Sequence, residues 1–177
     1  LYQQNMKKVF DDFLSEDEFL KLNSQITSFS FPWYVTSVIN DGANDDKLSC
    51  DENHNMQLVH IFYRDLCPQS ESINFLFPLI EIIKPKSLIS IKANLNFKST
   101  DIIEHGFHND WSFSKETKHK TGIFYLNTNN GYTKFSDGSK VDTKENRFVE
   151  FDSDMDHTGT TCTDSKYRIV INFNYFK

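Results

Sequence analysis

The stretch HGFHNDW, residues 105–111, brings two histidines and an aspartate within six positions. In an extended backbone, residues i and i+2 project to the same side, so His108 and Asp110 can address one atom while Asn109 points away. An imidazole nitrogen with a carboxylate oxygen suits a divalent metal of intermediate hardness, Fe(II) above all. Two ligands do not make a site. A third is offered by His157 in FDSDMDHTG, which follows the strand-like RFVEF and precedes the last strand-like segment. Folded together, His108, Asp110 and His157 would form a two-histidine, one-carboxylate facial triad, an arrangement that leaves adjacent coordination positions open.

The last segment, YRIVINFNYF, adds an independent signal. Tyr167, Ile169, Ile171, Phe173 and Tyr175 fall on one face, and Arg168, Val170, Asn172 and Asn174 on the other. A lone arginine on so apolar a strand sits either at a solvated edge or in a pocket facing an anion. Unpaired burial costs several kcal/mol, so a buried Arg168 demands a carboxylate or phosphate. Its planar fork grips such a group through two hydrogen bonds. Tyr125 shares a face with Thr121, Ile123 and Asn127 and is placed to donate its hydroxyl to the same anion.

These side chains need a rigid frame, and the patterning supplies one. Ser15 with Glu18 reads as a capping box opening an amphipathic helix over about residues 15–28, with Phe19, Leu20, Leu22, Ile26 and Phe29 as its apolar set. Ile73, Leu76, Phe77, Ile80 and Ile83 recur at spacings of three and four and suggest a second helix, which Pro78 either kinks or begins. MQLVHIFYR reads as a strand. From residue 87 the period becomes two: Ile89, Ile91, Ala93, Leu95 and Phe97 share one face, and Ser90, Lys92, Asn94, Asn96 and Lys98 the other. TGIFYLN, GYTKF, RFVEF and the last segment continue the strands, with NTNNG and SDGSK as turns. Helices followed by a run of strands predict a mainly β, α+β domain: an antiparallel sandwich or barrel buttressed by N-terminal helices.

Composition agrees. A chain of 177 residues with 17 Phe and 7 Tyr is most simply one domain, with no internal repeat and no linker. At that size it buries roughly 70% of its unfolded surface. The net charge is -6 and only Arg64, Arg147 and Arg168 are arginines, so no basic stripe recommends nucleic acid as a partner. Cys50, Cys67 and Cys162 lack the pairing of a zinc site and read as reduced thiols. No apolar run approaches the ~18 residues of a membrane helix, and no signal-peptide pattern opens the chain, so a soluble cytoplasmic protein is expected. The chain begins at Leu1, as a trimmed one does. The acidic stretch 40–55 reads as a solvated loop or a lid, and together with residues 98–107 it is expected to choose the substrate.

The remaining candidates have plainer readings. His105 is expected to be a surface or supporting residue, and His60 a core or pocket histidine. His54 and His119 fall in polar loops, where solvation is the default. Asp152, Asp154 and Asp156 form a charged turn, with Asp156 available to orient the His157 ring. Trp33, Tyr34 and Trp111 are expected in core or rim packing.

The order His108-x-Asp110, His157, Arg168, with GIFYLNTNNGYTKF between, resembles the Fe(II)- and 2-oxoglutarate-dependent oxygenases of the double-stranded β-helix, or jelly-roll, fold. Within that superfamily it is most similar to the prolyl-4-hydroxylase-like branch of bacterial and phage proteins. The resemblance covers residues 87–177 by motif, and FPWYV at 31–35 and the helix before residue 85 more loosely. It implies iron on His108, Asp110 and His157, the far carboxylate of 2-oxoglutarate on Arg168, and Tyr125 bonded near that end. Asn94 or Asn96 would help to hold the co-substrate, and Asn172 would assist Arg168. It further implies a dioxygenase that uses O2 to hydroxylate an unactivated C–H bond of a small molecule or peptide, releasing succinate and CO2. A prolyl residue, a free amino acid and another small metabolite all remain open as substrates. Two departures stand out. The segment between His157 and Arg168 is slightly long, and the second arginine of nucleic-acid-repairing relatives is missing. The competing readings are a non-catalytic jelly-roll binding or structural module and a zinc hydrolase using the same three ligands.

Overall fold

The computed structural model describes residues 7–36, 56–110 and 119–177; the stretch 40–55, with Cys50 and His54, and Trp111 lie outside the described residues. The predicted capping box is present. The Ser15 hydroxyl accepts from the Glu18 backbone N–H at 3.4 Å, and the Glu18 carboxylate accepts from the Ser15 N–H at 3.2 Å. It opens α1, Glu16–Ile26, and is worth about 1 kcal/mol. Phe19, Leu22 and Ile26 are buried along one stripe, whereas Leu20 and Phe29 of the predicted apolar set are exposed. The second apolar set does not make one continuous helix. A 3-10 turn, Glu71–Leu76, gives way to α2, Phe77–Ile83, with Pro78 in its first turn. Proline is tolerated there because the first N–H groups of a helix have no partner within it.

The strands are β1 (Lys8–Phe10), β2 (Tyr34–Thr36), β3 (Gln57–Arg64), β4 (Cys67–Pro68), β5 (Ser87–Phe97), β6 (Lys120–Tyr125), β7 (Tyr132–Phe135), β8 (Lys140–Asp142), β9 (Arg147–Asp152), β10 (His157–Gly159) and β11 (Tyr167–Phe176). They form two antiparallel sheets. The larger runs β1-β9-β6-β11-β5-β3-β2, with β4 paired to β3; the smaller runs β10-β7-β8. Sequence periodicity predicts the long strands well and misses β1, β2, β4, β8 and β10, which are too short to show a period.

The two faces of the large sheet take different neighbours. Its outer face contributes Ile91, Ala93, Leu95, Ile169, Ile171, Phe173 and Tyr175 to a core shared with α1 and α2. Its inner face meets the small sheet through Ile123, Tyr125, Phe135, Phe151 and Val170. The architecture is a mainly β jelly roll with N-terminal helices laid over one side, as expected from the sequence. Among the described residues no helix is long and apolar enough to cross a membrane. Cys67 and Cys162 are free thiols.

Candidate functional site

His108 and His157 are brought together by backbone. They form an isolated antiparallel bridge in which each N–H donates to the other's carbonyl, at 3.0 and 2.8 Å. The segment 104–108 thus lies along β10 although it carries too few bonds to be a strand itself. Asp110 follows two residues on, and its N–H donates to the Ser153 carbonyl at 3.0 Å. The ligand atoms of His108, Asp110 and His157 all lie within 4.8 Å of one another. His108 Nε2 is 3.9 Å from Asp110 Oδ1, and His157 Nε2 is 3.8 Å from Oδ2.

Two of the ligands, His157 and Asp110, are held from behind. His157 is buried against Phe151 and Phe135. Its Nδ1–H donates to the Met155 carbonyl at 3.0 Å, which leaves the Nε2 lone pair facing Asp110. Asp156, expected to orient this ring, instead accepts from the Asn109 amide at 3.0 Å. A backbone carbonyl two residues away does its work. Asp110 Oδ2 accepts from the Thr121 hydroxyl at 2.9 Å. That hydroxyl also lies 2.9 Å from the Asn174 amide. It has one proton to give, so Asn174 presents its nitrogen, which then also reaches Asp110 Oδ2 at 3.2 Å. His119, expected in a solvated loop, is buried, and its Nε2 donates to the Asp110 carbonyl at 3.0 Å. Burial and the neighbouring His157 push the His108 pKa down, against the pull of Asp110 and the Gly106 carbonyl, and keep the ring in its metal-binding form.

Arg168 is buried at the other end of the same cavity, 2% exposed. Its Nε donates to Thr143 Oγ1 at 2.8 Å and its Nη2 to Thr133 Oγ1 at 3.3 Å. Among the described residues no carboxylate pairs with it. Burial alone therefore pushes its pKa down from the usual guanidinium range. Gly131 is needed for this placement. A Cβ there would meet Arg168 Cδ at 2.8 Å and the Thr161 carbonyl at 2.7 Å. The slightly long 158–167 segment does not displace the arginine.

Asn94 and Asn172 both line the cavity, and each has a buried Oδ1 with no hydrogen-bond partner among the described residues. Asn96 lines it as well, its amide 3.4 Å from His105 Nε2. His105 is buried rather than at the surface, and desolvation with the nearby Arg168 charge lowers its pKa to about 4. Tyr125 is the exception among the predicted site residues. It packs under Arg168, whose Cζ lies 5.6 Å from the ring centre, and its hydroxyl donates to Thr133 at 2.8 Å. It lies behind the cavity wall and reaches the site through Thr133. His60 is a core histidine bonded to the Pro32 carbonyl. Trp33 packs at the edge of the core, and Tyr34 is exposed.

Sequence reasoning passes over Thr121, Asn174, Thr133, Thr143 and Gly131. The first two announce themselves only as inward-facing polar residues on buried strands, and the last three lie in turns and short strands without periodicity.

No protein-family model matches the chain, and no curated protein sequence does. Solved structures do. A prolyl-4-hydroxylase of Pseudomonas putida superposes with a TM-score of 0.65 at 11% identity, covering 98% of this chain and 94% of its own. A Trichoplax adhaerens prolyl hydroxylase, solved with a hypoxia inducible factor oxygen degradation domain peptide fragment, gives 0.67 at 14%, covering 98% and 84%. The non-heme alpha-ketoglutarate-dependent epimerase SnoN of nogalamycin biosynthesis gives 0.66 at 10%, covering 99% and 78%. This chain has the fold of the 2-oxoglutarate/Fe(II) oxygenases. At these identities the likeness concerns the fold. In that frame the triad sits where the two sheets meet, between β10 and the inner face of β6 and β11.

Proposed function

We propose that the protein is an Fe(II)- and 2-oxoglutarate-dependent dioxygenase that hydroxylates an unactivated C–H bond of a small molecule or peptide. One observation carries this reading: the two histidines of a converged His-Asp-His set line the same cavity as a buried arginine that has no carboxylate partner among the described residues. A zinc hydrolase or a binding module has use for the first or for neither, but not for the second.

The residues fit the absent groups. The donor set is two neutral imidazoles and one carboxylate, the choice that suits Fe(II). When bound, iron with 2-oxoglutarate and O2 supplies the oxidising chemistry, with succinate and CO2 as by-products. His108, Asp110 and His157 would hold the metal on one side and leave the cavity side open. Thr121 and Asn174 fix the Asp110 carboxylate by occupying Oδ2. Arg168 would bind the far carboxylate of 2-oxoglutarate with the fork edge that its two threonines leave unused. Thr133 accepts bonds from both Tyr125 and Arg168, so its own proton is left for that carboxylate. In a site of low dielectric these charge-assisted bonds count for more than they would in water. Asn94 and Asn172 turn further polar groups toward the cavity.

The test is anaerobic protein mixed with Fe(II) and then 2-oxoglutarate. A weak visible charge-transfer absorption should grow with 2-oxoglutarate and vanish in His108→Ala. No absorption in the wild type, or an unchanged one in the variant, would overturn the reading. Succinate formed in air provides the second readout.

A further inference from the structure

Two asparagines show how this fold satisfies a carboxamide. Asn127 accepts from the Ile169 N–H at 3.0 Å and donates to the Tyr167 carbonyl at 2.8 Å. Asn146 accepts from the Leu14 N–H and donates to the Leu14 carbonyl, both at 2.9 Å. Three other carboxamides break the pattern. Gln57 and Asn94 are 4% and 6% exposed and Asn172 is partly buried, yet among the described residues none of the three makes a hydrogen bond. All three line the cavity that holds His108, His157 and Arg168.

Strand register puts them on one line. Gln57 and Val59 share the inner face of β3, and Val59 pairs with Asn94 of β5. Asn94 pairs in turn with Val170 of β11, two residues before Asn172. The three are therefore diagonal neighbours across three strands, in steps of roughly 7–8 Å. The line ends one same-face step from Asn174, whose amide holds the Asp110 carboxylate. A ligand lying along it has its Asn172 end beside the metal ligands.

Hydrogen-bond chemistry says what the line takes. A carboxamide offers both donor and acceptor, and with neither engaged it can turn either one toward a ligand. 2-Oxoglutarate carries acceptors alone, so however it lies it leaves the three carboxamide oxygens unmatched, and an ammonium would leave the three nitrogens. A neutral group with an N–H and a C=O close together matches both, as Leu14 does for Asn146.

We propose that Gln57, Asn94 and Asn172 form the substrate subsite, and that the substrate meets it through an amide, its N–H on a carboxamide oxygen and its C=O on a carboxamide nitrogen. This rests on the oxygenase reading and narrows its substrate class from small molecule or peptide to amide-bearing molecules, whether the amide lies in an open chain or in a ring. The three residues position the substrate and take no part in the bonds that change.

The test uses the full chain with Fe(II) and 2-oxoglutarate and reads succinate released with two panels, N-acetyl amino-acid N-methylamides for the open chain and lactams with cyclic ureides for the ring. Each compound is matched with a counterpart whose N–H groups are all methylated. At least one amide should raise succinate release several-fold while its methylated counterpart does not, and its panel tells chain from ring. For that amide, Asn94→Leu should raise the half-saturating concentration roughly 10-fold, the loss expected for its hydrogen bonds. Half-saturating 2-oxoglutarate, read from the anaerobic absorption, should change far less. Calorimetry of the Mn(II)- and 2-oxoglutarate-loaded protein with the same amide should show the same weakening without turnover. Near-UV circular dichroism checks folding, and Gln57→Leu and Asn172→Leu carry the test if Asn94→Leu does not fold. The proposal is overturned if no amide stimulates, if methylated counterparts do as well, or if the variants leave amide binding unchanged or weaken 2-oxoglutarate as much. A wild type that shows no 2-oxoglutarate-dependent absorption sinks the oxygenase reading first and this one with it.

Discussion

The two faces of the β5–β11 pair are built from the same twenty-one residues and do opposite jobs. On the outer face Ile91, Ala93, Leu95, Ile169, Ile171 and Phe173 have their partners inside the molecule, among the side chains that α1 and α2 lay over them. On the inner face Asn94, Arg168 and Asn172 are buried in whole or part, yet among the described residues Asn94 and Asn172 each keep an oxygen unmatched and Arg168 lacks a carboxylate. A buried polar group without a partner costs about 1–3 kcal/mol. The outer face therefore stabilises the fold, and the inner face spends part of that stability on groups held ready for something else.

The contrast can be broken first where it is strongest. Phe173→Ala on the outer face should lower stability by about 3–5 kcal/mol, read from the urea midpoint, because a fully buried ring leaves a cavity behind. A loss under 1 kcal/mol would mean that this face is not the core.

The next effect belongs to the inner face and depends on pH. His105 has a folded pKa of about 4 against 6.5 for the free side chain, so the unfolded chain takes up a proton first as pH falls. The stability linked to this residue is fully present above pH 6.5 and is lost as pH drops through the window to about 4. It amounts to about 3 kcal/mol at most. His105→Gln should flatten the stability profile in that window and leave the plateau above it in place. Thermal melts from pH 7.5 to 4 measure this, and a profile of unchanged slope would remove His105 from the account.

Arg168→Met should then separate the faces most plainly. The midpoint of unfolding should hold or rise, because a buried charge without a carboxylate is replaced by an apolar chain of similar length. The 2-oxoglutarate concentration for half-saturation should rise roughly 100-fold, as the loss of a buried charged contact predicts. A large drop in stability with intact 2-oxoglutarate binding is the result that contradicts the assignment.

The smallest effect is expected at Thr121. Thr121→Ala should weaken metal binding roughly 10-fold, judged by Co(II) or Mn(II) titration, and Thr121→Ser should recover most of it. Its hydroxyl touches Asp110 and not the metal, so a loss as large as that of His157→Ala would place it among the ligands.

Much of this was legible in the chain. Period-two alternation assigned the faces of β11 and of β5 from Ile91 to Leu95, although it misplaced Phe97, which is exposed, and Ile89, because a bulge at Asn174/Tyr175 sets Leu88 against the core instead. It succeeds because a strand's geometry is local and the two faces meet environments of opposite polarity. The capping box marked the start of α1 for the same reason, and His108-x-Asp110 could be read as two ligands on one side. Other residues could not be read. His119 looked solvated because polar neighbours surround it in sequence, but the fold buries it against the Asp110 carbonyl. Tyr125 looked like a pocket donor because its face was right. What the sequence did not show was that Thr133, eight residues later on the opposing sheet, would take its hydroxyl.

By itself the sequence determined which residues are paired with which kind of surroundings: a strand face, a helix stripe, a cap, a lone arginine on an apolar strand that had to find an anion. Tertiary structure alone decided which of these meet. His157 reaches His108 only because β10 doubles back to bridge it, and Arg168 is steadied by threonines 25 and 35 positions earlier in the chain. The physical reason is range. Backbone geometry and side-chain polarity act within a few residues, whereas a metal site and an anion pocket are closed by contacts whose partners are set by how two sheets stack.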